Sequence, residues 1–297
     1  MTYIVSVIIP TYNSRGGLVR SIESVLAQDF RNYEIIVVDD NDPTSEARAR
    51  TEKEMAAYKQ RTNFRYIKHE YNKNGAAARN TGIFSSRGTY IAFLDDDDEF
   101  LQNKLQRQVD YLNNHSEYDA VYCLSTINGK DEFTIPFEGD ASIPLLKCRT
   151  KMVTPALMFR RSALITINGF DEQFRRHQDY QLLLSYFEHG FKIGCLQERL
   201  TAIHSFRGNS LTIDELIELK SRYLAVFQPL INRLEACHPG IANEIIAANY
   251  AGVFDAAIAC KEWKKAWDVF RNYFPVAPLS FISQCWFLMK DHVRRKL

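Results

Sequence analysis

The sequence has no long apolar run, no closely paired cysteines and no excess of one charge. No stretch approaches the roughly 18–20 apolar residues of a membrane-spanning helix, so we expect no membrane-spanning helix. The six cysteines include no C-x-x-C pair, which argues against a zinc site and indicates thiols kept in a reducing compartment. A formal net charge of +1 gives no sign of nucleic-acid binding.

The N-terminus lacks the basic start and the longer apolar segment of a signal peptide, because residues 1–3 lead directly into the short apolar run 4–10. We therefore expect a cytoplasmic protein, or one bound peripherally to the cytoplasmic face of the inner membrane. The 297 residues, 46% of them hydrophobic, are enough for one large α/β domain with a smaller appendage.

Short apolar segments alternate with helical patterns along the first part of the chain. The predicted strands are residues 5–9, 34–38, 64–68 and 90–94. The predicted helices are residues 17–28, 45–61, 76–85 and 102–114, the second of them polar and expected to be exposed. This alternation predicts βαβ units and a mainly parallel sheet.

The pattern changes after about residue 212. Residues 118–154 are mixed, 156–159 predict a strand, and 179–189 predict a helix. Further helices are predicted at residues 213–234, 241–260, 263–273 and 279–295. We expect a catalytic domain at 1–212 and a helical region at 213–297 that serves packing, oligomerisation or attachment to a membrane surface.

Polar clusters follow three of the four early strands. They are Pro10-Thr11-Tyr12-Asn13, then Asp39-Asp40-Asn41-Asp42, and then Asp95-Asp96-Asp97-Asp98-Glu99. Ligands bind outside the carboxyl ends of the strands in an open parallel sheet. Because right-handed crossovers bring these ends to one rim, we expect the clusters to meet there.

The run of five acidic residues is the most informative feature. Neighbouring carboxylates repel one another, and a divalent cation bound through oxygen ligands removes that cost. The alternative is a solvated acidic turn. Asp39 and Asp40 have an alternative too, as turn formers that cap a strand.

Three further residues are candidates on their own. Arg79, near the start of a small-residue helix, is placed to meet a phosphate, or it is a surface arginine on a tightly packed helix. Asp179, at a loop-to-helix junction, is a candidate site residue or an N-cap. His204 follows the apolar residues 200–203, where a lone histidine is usually structural.

Taken in order, these motifs resemble the family 2 glycosyltransferases of the GT-A fold, of the bacterial surface-polysaccharide type. The matching motifs are the strands 5–9 and 34–38 with their polar ends, residues 75–80, residues 90–98, Gly169-Phe170-Asp171-Glu172 and Gln178-Asp179-Tyr180. The resemblance covers about residues 4–212. It implies a GT-A α/β domain and an inverting transferase that uses Mn²⁺ or Mg²⁺. The donor would be a UDP-sugar carrying a hexose or N-acetylhexosamine. The acceptor would be a hydroxyl of a glycan or of a polyprenol-diphosphate-linked oligosaccharide.

The resemblance also implies a role for each matching position. The nucleotide-sugar-binding residues would be Pro10, Thr11, Tyr12, Asn13, Asp40, Arg79, Asp95 and Asp96. Asp40 would read the uracil edge. Asp97 would be the principal metal ligand, and His204 would contact the metal ion or the diphosphate. Asp179 would be the general base.

The sequence departs from the family pattern in three places. Asn41-Asp42-Pro43 replaces the usual Asp-Gly-Ser, and four consecutive aspartates blur the register of the D-x-D motif. Gln178 replaces the usual acidic neighbour of the base, so we expect the pKa of Asp179 to be less raised. Two alternatives stay open: a nucleotide-sugar binding module whose catalysis has decayed, and a nucleotidyltransferase that makes nucleotide sugars. Nucleotidyltransferases usually carry a glycine-rich, basic loop after the first strand, whereas residues 11–18 hold one basic residue here.

The C-terminal residues predict a basic amphipathic end. Its apolar residues are Phe281, Ile282, Cys285, Trp286, Leu288 and Met289, and its basic residues are Lys290, Arg294, Arg295 and Lys296. Such a segment is expected to lie on an anionic membrane, or to dock on the catalytic domain or on a second subunit.

Overall fold

The computed structural model describes residues 3–14, 16–131, 134–150, 152–174, 178–204 and 211–296, with side chains described up to residue 290. The strands in these residues are β1 (Val5–Thr11), β2 (Tyr33–Asp39), β3 (Phe64–Lys68), β4 (Tyr90–Phe93), β5 (Glu99–Phe100), β6 (Ala120–Ile127), β7 (Lys130–Asp131), β8 (Leu157–Arg160) and β9 (Ile193–Ile203). The helices up to residue 188 are α1 (Leu18–Leu26), α2 (Glu46–Met55), α3 (Gly75–Ser85), α4 (Lys104–Asn114), α5 (Ser142–Leu146), α6 (Arg161–Thr166) and α7 (Gln178–Glu188). The later helices are α8 (Ile213–Val226), α9 (Gln228–Cys237), α10 (Ile241–Ala259), α11 (Trp263–Tyr273) and α12 (Pro278–Lys296).

Within the described residues the strands form one sheet in the order β3-β2-β1-β4-β8-β6-β9-β5, and β7 pairs with β6. The strands β1 to β4 are parallel, which confirms the βαβ prediction. The other half of the sheet is mixed, because β8 runs antiparallel to both β4 and β6, whereas β6 and β9 are parallel.

Helices cover both faces of the parallel half of the sheet. Alternate residues of β1 point to opposite faces, so Val5, Val7 and Ile9 join the hydrophobic core formed with α1 and α4. On the opposite face the small-residue helix α3 lies close to β1. A Cβ added at Gly82 would lie 2.3 Å from a side-chain carbon of Ile8, which explains why small residues are needed there.

Two helical predictions differ from the structure. Helix α2 was expected to be exposed, but Arg48, Thr51 and Met55 are buried, and Arg48 forms an ion pair with buried Asp39. The helix predicted at 213–234 is two helices, α8 and α9. Pro229 lies in the first turn of α9 and cannot donate a backbone N–H, so the helix restarts there.

The chain forms two compact units. The first comprises Met1–Asp131, Pro136–Ala141 and Met152–Ser205, and the second comprises Glu132–Ile135, Ser142–Lys151 and Phe206–Leu297. A segment around α5 thus groups with the C-terminal helices in the second unit, and the predicted boundary near residue 212 stays a prediction. In that second unit α10 packs against α8, α9, α11 and α12. Across the described residues we find no helix with the length and apolarity needed to cross a membrane.

Candidate active site

The carboxyl ends of β1, β2 and β4 meet at one rim, where Thr11 pairs with Asp39 and Ile8 with Phe93. The residues that follow these strands and the start of α3 surround a pocket of about 240 Å³. Its lining residues are Pro10, Thr11, Tyr12, Asp40, Gly75, Ala78, Arg79, Asp95, Asp96 and Asp97. Eight of the eleven predicted site residues line this pocket, and the other three are Asn13, Asp179 and His204.

Tyr12 and Asn13 directly follow β1 and form the edge of the site on that side. The Tyr12 side chain is 55% exposed, so its ring is accessible to a flat ligand. Asn13 has a left-handed backbone (φ 52°), and its backbone N–H donates to Asn41 Oδ1 at 2.7 Å. The Asn41 amide in turn donates to Asp39 Oδ1 at 2.7 Å. Asn41, which departs from the family pattern, thus links the first two polar clusters.

The Asp40 carboxylate is buried (1% exposed) and accepts hydrogen bonds on both oxygens. Oδ1 accepts from His69 Nδ1 (2.7 Å) and from the Lys73 backbone N–H (2.8 Å). Oδ2 accepts from Asn72 Nδ2 (2.9 Å) and from the Asn74 backbone N–H (2.8 Å). Asp40 therefore holds the turn that leads into α3. Its predicted contact with uracil stays a prediction.

That turn fixes the start of α3 at the pocket. Asn74 caps the helix, because its side-chain oxygen accepts from the backbone N–H groups of Ala76 (2.8 Å) and Ala77 (3.1 Å). Gly75 and Ala78 in the first turn of α3 line the pocket. A helix N-terminus favours negative charge, which suits a diphosphate.

Asp95 and Asp96 are each held by a different partner. Asp95 Oδ1 forms an ion pair with Arg79 Nη2 at 2.5 Å, and Asp96 Oδ2 accepts from the Thr11 hydroxyl at 2.5 Å. Burial raises the pKa of Asp96 to about 6, the Thr11 hydrogen bond opposes that rise, and the charges of Asp97 and Asp95 add to it. The acidic cluster is thus attached to both β1 and α3.

Asp97 and Asp98 separate in space although they are adjacent in sequence. The chain turns here, since the Asp98 backbone N–H donates to the Asp95 carbonyl oxygen (3.1 Å). Asp97 stays at the pocket, and burial followed by repulsion from Asp95 raises its pKa. The Asp98 carboxyl is buried and accepts from the His204 backbone N–H (2.8 Å), while burial and the Asp95 charge raise its pKa to about 8.

The acidic turn lies directly against the start of α1. A Cβ added at Gly17 would lie 2.5 Å from the Asp96 carbonyl oxygen and 2.9 Å from the Asp97 Cα. A glycine is therefore required where the two backbones approach.

Arg79 connects the acidic turn to the start of α7. Besides pairing with Asp95, its guanidinium donates through Nη1 to Gln178 Oε1 (3.0 Å) and lies 5.6 Å from the centroid of the Phe170 ring. Asp179, next in the chain, is partly buried, and burial raises its pKa whereas the positive charge of Arg79 lowers it. Gln178 thus contacts Arg79 where the family usually has an acid.

His204 lies beside the acidic run, at the end of β9. Its Nε2 is 2.7 Å from Glu99 Oε1, and Arg20 Nε pairs with the same Glu99 oxygen at 3.1 Å. Arg20 also donates to the Asp97 carbonyl oxygen at 2.6 Å. Glu99 and Arg20 hold His204 and the acidic turn together.

Comparison with known proteins identifies the family. Residues 6–195 match the model for glycosyl transferase family 2. The chain belongs to this family. It is 32% identical over 252 residues to EpsE of Bacillus subtilis strain 168, which covers 76% of this chain and 88% of EpsE. It is 35% identical over 188 residues to the UDP-Glc:alpha-D-GlcNAc-diphosphoundecaprenol beta-1,3-glucosyltransferase WfgD of Escherichia coli, covering 62% of this chain and 69% of WfgD.

The fold of this glycosyltransferase matches a solved structure over almost its whole length. The crystal structure of Staphylococcus aureus TarS residues 1–349 in complex with UDP-GlcNAc superposes with a TM-score of 0.65 at 17% identity, covering 98% of this chain and 89% of that one. The predicted GT-A fold is confirmed.

The pocket of the glycosyltransferase carries oxygen ligands of the kind that a divalent cation prefers. In the part of the chain that the structure describes, no three His, Cys, Asp or Glu side chains converge as a metal-binding group. Asp95, Asp96 and Asp97 nevertheless share the pocket wall, and their burial and mutual repulsion raise the pKa values of Asp96 and Asp97. Carboxylate oxygens are the ligands that Mg²⁺ and Mn²⁺ prefer, and either cation would offset this repulsion.

Four residues that organise the site are not among the eleven predicted site residues. They are Arg20, Arg48, His69 and Glu99, the last of which belongs to the predicted acidic run. His69 directly follows β3, so the reasoning applied to the other three strand ends would have found it. Arg20 and Arg48 lie on helices and gave no local signal, because their partners belong to other elements. Arg20 contacts the acidic turn, and Arg48 contacts residues at the ends of β2 and β3.

Proposed function

We propose that this glycosyltransferase moves a hexose or N-acetylhexosamine from a UDP-sugar to a hydroxyl of a glycan or polyprenol-diphosphate-linked oligosaccharide, in polysaccharide or O-antigen biosynthesis on the cytoplasmic side of the membrane. One observation carries the proposal: a single pocket combines an exposed tyrosine, a helix N-terminus, an arginine and four aspartates. The donor and the lipid-linked acceptor named for WfgD, and the UDP-GlcNAc complex of TarS, support the two substrate classes.

The nucleotide would lie between the edge that follows β1 and the turn held by Asp40. Tyr12 offers an exposed ring on which a base can stack. Asp40 lines the pocket while its carboxylate accepts from the turn, so we propose that it reads the base mainly through the backbone it positions. Pro10 and Thr11 line the adjoining wall, and Asn13 lies two residues further along the chain from Thr11.

The diphosphate would lie between the start of α3 and the acidic turn. Asp97 and His204 are the proposed metal-holding residues, and His204 would use Nδ1 because its Nε2 faces Glu99. A bound Mn²⁺ or Mg²⁺ would supply Lewis-acid stabilisation of the charge that builds on the leaving diphosphate. Arg79 adds a fixed positive charge near the same position.

Asp179 is the proposed general base. It would take the proton from the acceptor hydroxyl as that oxygen attacks the anomeric carbon, and such help is typically worth about 10²–10⁴-fold in rate. A single base and direct displacement predict inversion at that carbon. Burial raises the pKa of the Asp179 carboxyl, and the positive charge of Arg79 opposes that rise.

A donor panel tests the proposal. The purified chain is mixed with Mn²⁺ or Mg²⁺ and each common UDP-, GDP- and dTDP-sugar, and thermal shift and slow donor hydrolysis are measured. We expect metal-dependent stabilisation and hydrolysis with one UDP-sugar. A folded protein that responds to no nucleotide sugar would contradict the proposal. Stabilisation without any hydrolysis or transfer would instead favour the decayed binding module.

A further inference from the structure

Helix α12 presents an apolar face to solvent. Leu279, Ile282, Trp286 and Met289 follow one another at three- and four-residue spacing and are 85%, 55%, 54% and 52% exposed. Phe281 and Phe287 point inward and are buried. A helix packed on a globular core normally turns polar residues to water. We call the four exposed residues the α12 stripe.

The tryptophans of the chain lie on α11 and α12 alone. The sequence has three, Trp263, Trp267 and Trp286, and each is more than half exposed (62%, 61% and 54%). Tryptophan is highly buried on average in globular proteins, and it is enriched at membrane–water interfaces. Lys264 follows Trp263 directly, and Lys290 Nζ lies 3.8 Å from the centroid of the Trp286 ring. Lys265 pairs with Asp214 and Glu262.

A cationic groove of about 540 Å³ adjoins the α12 stripe in the same unit, and Leu279 lines both. Lys147, Arg149, Glu244 and Ser283 line the groove, so its charged side chains carry one net positive charge. Arg149 donates to two neutral oxygens, Ser283 Oγ (2.8 Å) and Gln284 Oε1 (3.2 Å), and Lys147 pairs with Glu244. Positive charge thus lies next to exposed apolar surface, which is the combination that binds anionic lipid.

We propose that the α12 stripe and the cationic groove bind the surface of an anionic lipid bilayer. The apolar side chains would enter the boundary between headgroups and acyl chains, and Arg149 and Lys290 would meet lipid phosphates. The residues all belong to the second unit, whereas the donor pocket belongs to the first, so the inference goes beyond the proposed reaction.

Charge and area favour lipid over a second copy of this chain. A two-fold contact would bring each stripe against the same stripe of the other copy, and the positive charges of Lys290 and Arg149 near those of that copy. The stripe spans about 15 Å of helix, which offers a few hundred Å² at most, and one partner in a stable protein interface buries roughly 800 Å². A bilayer presents phosphates of complementary charge and needs no matching surface.

Vesicle binding by the full chain tests the proposal. The chain is sedimented with vesicles of phosphatidylglycerol and phosphatidylethanolamine, or of phosphatidylcholine alone. We expect binding to the anionic vesicles that weakens as salt is added. Because every tryptophan lies on α11 or α12, intrinsic emission should shift to the blue, and brominated lipids should quench it. Absence of binding to anionic vesicles, or binding without quenching, would overturn the proposal.

Variants locate the contact. The triple substitution Ile282→Ser, Trp286→Ser and Met289→Ser should lower vesicle affinity roughly tenfold or more. Val226→Ser, at a residue 48% exposed on α8 of the same unit, should leave it unchanged. Vesicle binding by the triple variant equal to that of the original chain would overturn the proposal. So would an original chain that binds no vesicles but self-associates, if the triple substitution abolishes that self-association. The donor-induced thermal shift, measured without lipid, reports separately on folding and on the proposed reaction.

Discussion

Replacing Asp40 by asparagine tests how the nucleotide pocket is built. The carboxylate accepts four hydrogen bonds, two on each oxygen, from His69, Asn72 and the backbone N–H groups of Lys73 and Asn74. An asparagine amide can satisfy only two of these donors. In either orientation its NH₂ group takes the place of an acceptor, so two hydrogen bonds to the carboxylate are lost. It faces one backbone N–H, of Lys73 or Asn74, and one side chain, His69 or Asn72, which can accept only after a change of tautomer or an amide flip.

The magnitude follows from those two contacts. A hydrogen bond to a charged group contributes about 1.5–3 kcal/mol, so losing two costs about 3–6 kcal/mol before relaxation. If the turn relaxes, we expect the free energy of unfolding to decrease by an amount near the lower end of this range, about 3 kcal/mol. For a domain of 150–250 residues each kcal/mol lowers Tm by about 2–4 °C, which gives a decrease of about 6–12 °C.

The assay is thermal unfolding together with binding of UDP, GDP and dTDP sugars. Asp42→Asn is the matched control, because it makes the same charge change two residues later on the exposed side of the loop. We expect Asp40→Asn to lower Tm and to weaken binding of every nucleotide sugar, because the start of α3 moves. We expect the control to change Tm little. An Asp40→Asn protein with unchanged Tm that merely loses its preference for uracil would refute this reasoning and support direct base reading.

Four further predictions concern catalysis and the acidic turn. Asp179→Asn should lower kcat by about 10²–10⁴-fold and leave the donor Kd from calorimetry nearly unchanged; strong loss of metal-dependent UDP binding would contradict its role as base. The ionised form of Asp179 is the proposed base and its pKa is raised, so kcat should begin to fall with decreasing pH at a higher pH than for an ordinary aspartate. Arg79→Gln removes a charge that lowers this pKa and should move the acidic limb of the kcat–pH profile to still higher pH. Asp97→Ala should weaken metal-dependent donor binding and turnover, and full activity at saturating metal would show that another residue is the principal ligand. Gly17→Ala should lower Tm and donor affinity together, since the new Cβ would meet the Asp96 backbone at 2.5 Å, and a wild-type Tm would contradict the close packing.

The parallel half of the sheet could be predicted because its signals are local. Each of β1, β2 and β4 is a short buried run with a polar cluster directly after it, and parallel pairing brings those clusters to one rim. The mixed half depends on pairing between distant segments. β6 lies between β8 and β9, its register with β9 shifts at Leu124, and β9 carries exposed polar residues in its middle. Local patterns do not encode such pairings.

The acidic run shows why residue type alone cannot assign roles. Asp95, Asp96, Asp97 and Asp98 are identical in sequence, yet the turn between the first and the last gives each a different environment. Asp95 pairs with Arg79, Asp96 accepts from Thr11, and Asp98 turns inward to the His204 backbone. Asp97 keeps its side chain at the pocket while its backbone oxygen accepts from Arg20. The partners come from β1, α1, α3 and β9, so the role of each aspartate is set by the tertiary structure.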